Sequence, residues 1–66
     1  MNTKRYYFNC HVWETYTAYI DVPKEIASAE EARQYTNKHH NEIELAVDVK
    51  ASDVVYDFSW SKLVDE

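Results

Sequence analysis

The chain has 66 residues, a formal charge of −5 and no glycine. A chain of this length forms one small domain with a single core and has no room for a deep, enclosed active site. The acidic charge argues against nucleic-acid binding, which usually needs a basic face, and the absence of glycine excludes a glycine-rich phosphate loop. We therefore expect one folded domain, residues 1–66, whose partner is basic.

Cys10 is the only cysteine, so no disulfide can form within the chain. Near the N-terminus, Lys4 and Arg5 lead into an alternating segment and not into the apolar run of a secretory signal. The sequence also contains no apolar run of membrane-spanning length. These features predict a cytoplasmic protein without a membrane partner.

The first two predicted elements are strands, because apolar side chains recur at every second position in residues 4–13 and again in residues 15–22. A short connection near Glu14 separates the two runs, which together predict an antiparallel hairpin. Pro23 ends the second strand because proline has no N–H to donate to a ladder. The apolar positions are Tyr6, Phe8, Cys10 and Val12 in the first strand and Tyr16, Ala18, Ile20 and Val22 in the second.

A helix is predicted over residues 28–43. Ser28 and Glu31 form a capping box, in which each side chain satisfies a backbone N–H at the helix start. Glu30 and Glu31 lie at the positive end of the helix dipole, and Lys38 lies towards its negative end. At helical spacing one stripe faces the sheet: Ala29, Ala32, Tyr35, Thr36, His39 and Ile43.

Residues 43–50 alternate between apolar and polar side chains, which predicts a third strand, with an extension of the helix to about Ala46 as the alternative. A turn then leads to a fourth strand, residues 54–60, and the polar tail, residues 61–66, is expected to fray. The predicted fold is α+β, a two-layer β-β-α-β-β domain with one helix packed on one face of an antiparallel sheet. The expected core is Tyr6, Phe8, Cys10, Val12, Ala18, Ile20, Val22, Ala32, Tyr35, Ile43, Leu45, Val47, Val49, Val54, Tyr56 and Phe58.

The opposite face of the sheet has no second helix to cover it, so it must meet water or a partner. Its outward positions are aromatic in the hairpin and acidic in the second half of the chain. Exposed aromatic side chains supply rigid contact area, and carboxylates steer and select a basic partner. The competing interpretation is an ordinary solvated sheet, since Tyr and Trp favour strands for packing alone. The candidate partner-binding residues are Tyr7, Trp13, Tyr19, Asp21, Glu44, Asp48, Asp53 and Asp57.

No set of residues converges on a catalytic or metal-binding motif, so we expect no enzyme activity, no metal and no cofactor. His39 and His40 are adjacent, and neighbouring helical side chains point about 100° apart, which prevents both from binding one metal ion from the same face. Cys10 falls on the core face, where a buried thiol is more typical than a nucleophile. Asp53 and Asp57 have no predicted pocket and are better explained as surface charge.

Three segments carry a family resemblance: the strand TAYIDV (residues 17–22), the capped helix start ASAEEA (residues 27–32) and the β-rich end DVVYDFSW (residues 53–60). Their order resembles that of small phage proteins that disable host machinery, among them inhibitors of host RNA polymerase and anti-CRISPR proteins. The PKEI junction before the helix is longer than in those proteins, and no functional residue is transferred from them. The resemblance implies a protein-binding inhibitor in the host cytoplasm that occupies the basic surface of a nuclease, a CRISPR effector or a polymerase.

Two other roles are open from the sequence. The chain can be a structural or assembly protein that homodimerises through its open sheet face, or an accessory subunit of a larger enzyme. Direct nucleic-acid binding is the least favoured, because the basic residues are scattered along the chain. They include Lys4, Arg5, Lys24, Arg33 and Lys38.

Overall fold

The computed structural model describes residues 3–65 of the chain. Within them, a three-stranded antiparallel sheet carries one α-helix on one face. The elements are β1 (Thr3–His11), β2 (Thr15–Pro23), α1 (Ala29–Lys38), two 3-10 turns (His40–Glu42 and Ala51–Asp53) and β3 (Val55–Asp65). The predicted α+β class is confirmed.

β1 is the central strand, because the strand order is β2-β1-β3 and both neighbours run antiparallel to it. The predicted hairpin of β1 and β2 is present, with Tyr6 opposite Ile20. In its connection the Val12 N–H donates to the Glu14 carbonyl at 3.1 Å. No described residue has a positive φ, so this part of the glycine-free chain turns without the left-handed conformation that favours glycine.

Ser28 caps α1 as predicted, with an extended backbone and with Oγ accepting the Glu31 N–H at 3.2 Å. The helix ends at Lys38 and not at residue 43, because His39 leaves the helical conformation with a φ of −128°. His39 Nδ1 lies 2.8 Å from a Glu42 carboxylate oxygen, and the 3-10 turn follows. Histidine and asparagine are weak helix formers, which explains why the helix stops where they cluster.

Residues 43–50 form neither the predicted third strand nor an extension of the helix. Glu44 alone in this segment pairs with the sheet, through two backbone hydrogen bonds to Tyr19 of 2.8 and 3.1 Å. The alternation still describes burial, because every second side chain is half-buried and those between are exposed. Ile43, Leu45 and Val49 pack against the core from this irregular segment. The β-β-α-β-β order is thus corrected to three strands, because apolar alternation guides burial but does not supply a ladder partner.

The prediction that the tail frays is wrong as far as Asp65, and Glu66 lies outside the described residues. Leu63 and Val64 continue β3 because they pair with the central strand, opposite Tyr6 and Arg5. This pairing gives the C-terminal residues both a backbone ladder and a half-buried surface. The sequence signal for it was the pair of apolar side chains within the polar tail.

β3 contains a bulge opposite the middle of β1. Phe8 lies opposite Ser61, whereas the next residue of β1, Asn9, lies opposite Asp57. Two adjacent residues of β1 are therefore paired with residues 57 and 61 of β3, and residues 58–60 between them have no partner on β1. Because the insertion has an odd number of residues, Asp57 and Lys62 lie on the same face of the sheet although five positions separate them.

The core lies between the sheet and α1. Phe8 is fully buried, and its ring centroid lies 4.9 Å from that of Phe58 and 5.9 Å from that of Tyr56. Thr36 is buried in the helix, and its hydroxyl donates to the Ala32 carbonyl at 2.8 Å. The buried apolar residues are Tyr6, Phe8, Cys10, Ala18, Ile20, Val22, Ala32 and Val54, all of them predicted. The half-buried residues around them are Val12, Tyr16, Ile26, Tyr35, Ile43, Leu45, Val49, Tyr56, Phe58 and Leu63.

Replacing Ser28 with Ala should lower the free energy of unfolding by about 1 kcal/mol, because the Glu31 N–H loses its acceptor. Urea unfolding followed by circular dichroism measures this loss. Ser52→Ala is the matched control, since Ser52 is exposed in a 3-10 turn and caps no α-helix. An equal loss in both variants would contradict the capping role.

Candidate protein-binding face

The sheet face that α1 leaves uncovered is the candidate site, and we call it the open face. On β1 and β2 the even-numbered side chains enter or border the core, so the odd-numbered ones lie on the open face. Residues of β3 that pair with odd-numbered residues of β1 share that face. The open face includes Arg5, Tyr7, Asn9 and His11 of β1, Thr15, Thr17, Tyr19 and Asp21 of β2, and Val55, Asp57, Lys62 and Val64 of β3.

A group of four side chains, which we call the tyrosine cluster, occupies one end of the open face. Tyr7 and Tyr19 are direct cross-strand partners, with ring centroids 6.0 Å apart and planes tilted by 51°. The Arg5 guanidinium lies 4.2 Å from the centroid of the Tyr19 ring, and Arg5 Nε donates to Asp21 Oδ1 at 3.0 Å. The cation–π contact and the ion pair share one guanidinium, which ties the four side chains together before any partner binds.

At the other end of the open face, His11 connects all three strands. Its Nδ1 lies 2.9 Å from Thr15 Oγ1 on β2, and its Nε2 lies 3.4 Å from Asp57 Oδ2 on β3. The second Asp57 oxygen accepts the Ser59 N–H at 2.9 Å within the bulge. Hydrogen bonds from Ser59, and then the one from His11, lower the pKa of the Asp57 carboxyl, so it stays ionised.

The order hydroxyl, imidazole, carboxylate in Thr15, His11 and Asp57 is also the order of a hydrolase triad. Here the three groups lie across exposed strands, with the His11 side chain 45% exposed and that of Asp57 36% exposed. A nucleophile works in a site that holds the substrate and places oxyanion donors around it, and these three groups lie on an exposed sheet surface. We interpret the three residues as ties between strands.

The fold places five of the eight predicted partner-binding residues on the open face or at its border. They are Tyr7, Tyr19, Asp21 and Asp57 on the open face and Glu44 at its border, where it pairs with the backbone of Tyr19. Glu44 is exposed and, among the described residues, has no ion-pair partner. Asp21 and Asp57, by contrast, already face cationic or hydrogen-bonding neighbours within the sheet.

The other three predicted residues lie outside the strands of the sheet. Trp13 is in the hairpin connection, 66% exposed, with its ring edge-on to Tyr16 at 6.0 Å. Tyr16 packs against the core, so Trp13 does not reach Tyr7 or Tyr19. The remaining two, Asp48 and Asp53, are exposed in the irregular segment and in the second 3-10 turn, outside the sheet. Alternation describes side-chain direction only within a strand, and all three residues lie outside one.

Two cations on the open face, Arg5 and Lys62, were missing from the predicted site. Arg5 was detectable, because it precedes Tyr7 by two positions in the alternating first strand. Lys62 was not, because its direction depends on the bulge in β3. The open face therefore carries charges of both signs, whereas the charged residues of the predicted site were all acidic.

The other candidate chemical groups are separate from one another. The His39 ring stacks on Tyr35 with centroids 4.1 Å apart, and the His40 ring lies 5.7 Å from that of Tyr56. Across residues 3–65, no three His, Cys, Asp or Glu side chains are grouped so as to hold a metal ion. Cys10 is buried, and burial raises the pKa of its thiol against the smaller opposite effect of a hydrogen bond involving the Tyr16 backbone.

Comparisons of the chain with protein-family models, with curated proteins and with solved structures gave no match. In the part of the chain that the structure describes, no helix combines the length and the apolar character needed to cross a membrane. The residues of the open face are therefore the basis for inferring the function of this protein.

Replacing Asp57 with Asn should make the free energy of unfolding depend less on pH in the acid range. A carboxyl whose pKa is lowered on folding stabilises the protein above its unfolded-state pKa of about 4, and this stabilisation disappears as the pH falls through the lowered value. Urea midpoints at about pH 6 and about pH 2.5 should therefore differ less in Asp57→Asn than in the parent protein. Asp53→Asn, at an exposed acid outside the sheet, is the control and should leave the difference unchanged.

Proposed function

We propose that this protein is a binding module without enzyme activity: a small acidic inhibitor, encoded by a phage, that acts in the host cytoplasm. Its open face docks on the basic surface of a host protein that handles nucleic acid, such as a CRISPR effector, another nuclease or a polymerase. Occupying that surface blocks the nucleic acid from binding. The type of target and the phage origin rest on the resemblance of residues 17–22, 27–32 and 53–60 to phage inhibitors.

The tyrosine cluster is the observation that carries the proposal. Ordering a side chain at an interface costs about 0.5–1.5 kcal/mol of entropy, and a side chain already held in place avoids most of this cost. Arg5 holds Tyr19 through the 4.2 Å cation–π contact, and Tyr19 in turn meets Tyr7 at 6.0 Å. Tyrosine is also among the residues that contribute most to binding energy at protein interfaces.

The charges around the tyrosine cluster support a basic partner. The chain has a formal charge of −5, which favours approach to a positive surface. Glu44 borders the cluster at the β2 edge, and Asp57 lies towards the opposite end of the open face. The mixed charges also set specificity, since a partner must avoid placing a cation against Lys62.

A capture experiment tests the proposal. The tagged protein is immobilised, a bacterial lysate is passed over it, and bound proteins are released by steps of rising salt and identified by mass spectrometry. A basic nucleic-acid-handling protein that is released by moderate salt, and whose nucleic-acid binding the purified chain inhibits, supports the proposal. A column that retains only further copies of the chain would overturn it and favour the alternative, an assembly protein that homodimerises through the open face.

Replacing both Tyr7 and Tyr19 with Ser should weaken binding to the captured partner by about a hundredfold, if each ring contributes as a typical interface anchor. Trp13→Ser is the matched control, because Trp13 is 66% exposed but lies outside the tyrosine cluster. Surface plasmon resonance measures the affinities, and circular dichroism verifies folding. A greater loss in Trp13→Ser than in the double variant would show that the hairpin connection, and not the open face, makes the contact.

Reversing the charge of Glu44 should act mainly on the rate of association. Glu44→Lys removes an unpaired acid at the border of the open face, so association with a basic partner should slow by several-fold and depend less on salt. Asp53→Lys makes the same change of charge outside the sheet and should have a smaller effect. Equal effects would mean that only net charge steers the encounter.

A further inference from the structure

β3 is an edge strand whose outer backbone groups can be assigned from the pairing elsewhere in the sheet. Tyr19 turns both its N–H and its C=O outward to Glu44, so its neighbours Ala18 and Ile20 bond to β1. The residues of β1 opposite them are even-numbered, which leaves the odd-numbered residues of β1 to bond β3. On β3, Asp57 and Lys62 lie opposite odd-numbered residues of β1, so their backbone N–H and C=O groups point inward to β1.

The ladder residues that flank this pair, one before Asp57 and one after Lys62, point their backbone groups outward. Tyr56 and Leu63 lie opposite Cys10 and Tyr6, whose backbone groups bond β2, so the N–H and C=O of Tyr56 and Leu63 point away from the sheet. Among residues 3–65, no further strand pairs with this edge. An edge that presents free backbone donors and acceptors is a template for pairing with another strand.

Exposed apolar side chains are concentrated on the same strand. Val55 is 66% exposed and Trp60 is 46% exposed, and Trp13 is the other large apolar side chain with comparable exposure in the described chain. Val55 lies on the open face at the start of the edge strand β3, and Trp60 lies in the bulge. An adjoining strand would cover both.

The side chains of β3 are arranged symmetrically about the bulge. On the open face the order along the strand is Val55, Asp57, then the bulge, then Lys62 and Val64. An antiparallel partner with the same sequence, related by a two-fold axis between residues 59 and 60, places Asp57 opposite Lys62 and Val55 opposite Val64. The same register places Tyr56 opposite Leu63, so the outward backbone groups of one copy face those of the other.

We propose that β3 pairs with β3 of a second copy in this register and joins the two three-stranded sheets into one. The pairs Asp57–Lys62 and Val55–Val64 then occupy positions without backbone hydrogen bonds to the partner, where side chains approach most closely. Lys62 is exposed and has no ion-pair partner among the described residues of its own chain, so it is available to the second copy.

The bulge and the charges select one register. Shifting the pairing by two residues keeps the outward backbone groups in phase but places Asp57 opposite Trp60 or Val64 and leaves both charges unpaired. The shift also places each bulge against a regular stretch of its partner. A bulge on an edge usually discourages pairing. In the proposed register the two bulges lie opposite each other at the axis, so neither interrupts a straight segment.

Charge reversal tests the pairing. Sedimentation of the full chain from about 10 μM to about 1 mM should show a reversible dimer. Lys62→Glu places like charges together at two symmetric sites and should raise the dissociation constant on the order of tenfold or more. Asp57→Lys should do the same. Mixing the two variants should restore dimers, because every 57–62 contact in the mixed pair is again between opposite charges. Lys50→Glu, at an exposed site outside the sheet, is the control.

Amide hydrogen exchange locates the interface and separates edge pairing from contact through the open face. The amides of Tyr56 and Leu63 should become protected as the concentration rises, whereas those of Val55 and Lys62 are bonded to β1 at all concentrations. A parent protein that is monomeric at 1 mM would overturn the proposal, as would a dimer insensitive to Lys62→Glu. Concentration-dependent protection that excludes Tyr56 and Leu63 would also overturn it. These outcomes do not depend on whether the chain inhibits a host protein.

Discussion

One ten-residue helix can cover only one face of a three-stranded sheet, and the rest of the molecule is arranged around this limit. The central strand, β1, contributes side chains to both faces of the sheet. Its even-numbered side chains, such as Phe8, form the core, and its odd-numbered ones, such as Tyr7, form the open face. A half-covered sheet needs an outer surface that tolerates water and still holds the strands together. Cross-strand contacts from Arg5 and His11 meet both needs.

These cross-strand contacts change how the acidic charge of the chain acts. Asp21 is paired with Arg5, and Asp57 is bonded to His11 and Ser59, so neither carboxylate acts as an isolated charge on the open face. The exposed acids without such neighbours lie at the border of the open face, in the connections between elements and in the first turn of α1. In the proposed complex, long-range attraction therefore comes mainly from the periphery, whereas close contact depends on the ordered tyrosines and on matching of individual charges.

The bulge in β3 affects both the core and the edge of the sheet. It directs Phe58 towards Phe8 in the core, and it brings Asp57 and Lys62 onto one face. The proposed pairing of two β3 strands would extend the sheet while leaving both tyrosine clusters exposed at its far sides. A dimer of this kind would present two docking faces, so edge pairing and partner binding are compatible uses of one sheet.

Local patterns were sufficient for the parts of the structure that depend on near neighbours. Strict alternation predicted β1 and β2, and Ser28 and Glu31 predicted the start of α1. The buried apolar residues were all among the expected core. These features follow from side-chain periodicity and from one capping hydrogen bond, both of which act within a few residues. The pairing of Tyr7 with Tyr19 can also be inferred from the sequence, because a hairpin with a short connection places the two residues opposite each other.

By itself, then, the sequence determined the α+β class, the helix cap, the hairpin and the alternating burial of residues 43–50. Only the tertiary structure decided that this last segment pairs at Glu44 alone, that the tail joins β3, and that Trp13 lies apart from Tyr7. The physical reason is that a ladder needs a free edge at the right distance and register. Which edge is free depends on how the whole chain has folded and not on the segment that pairs with it.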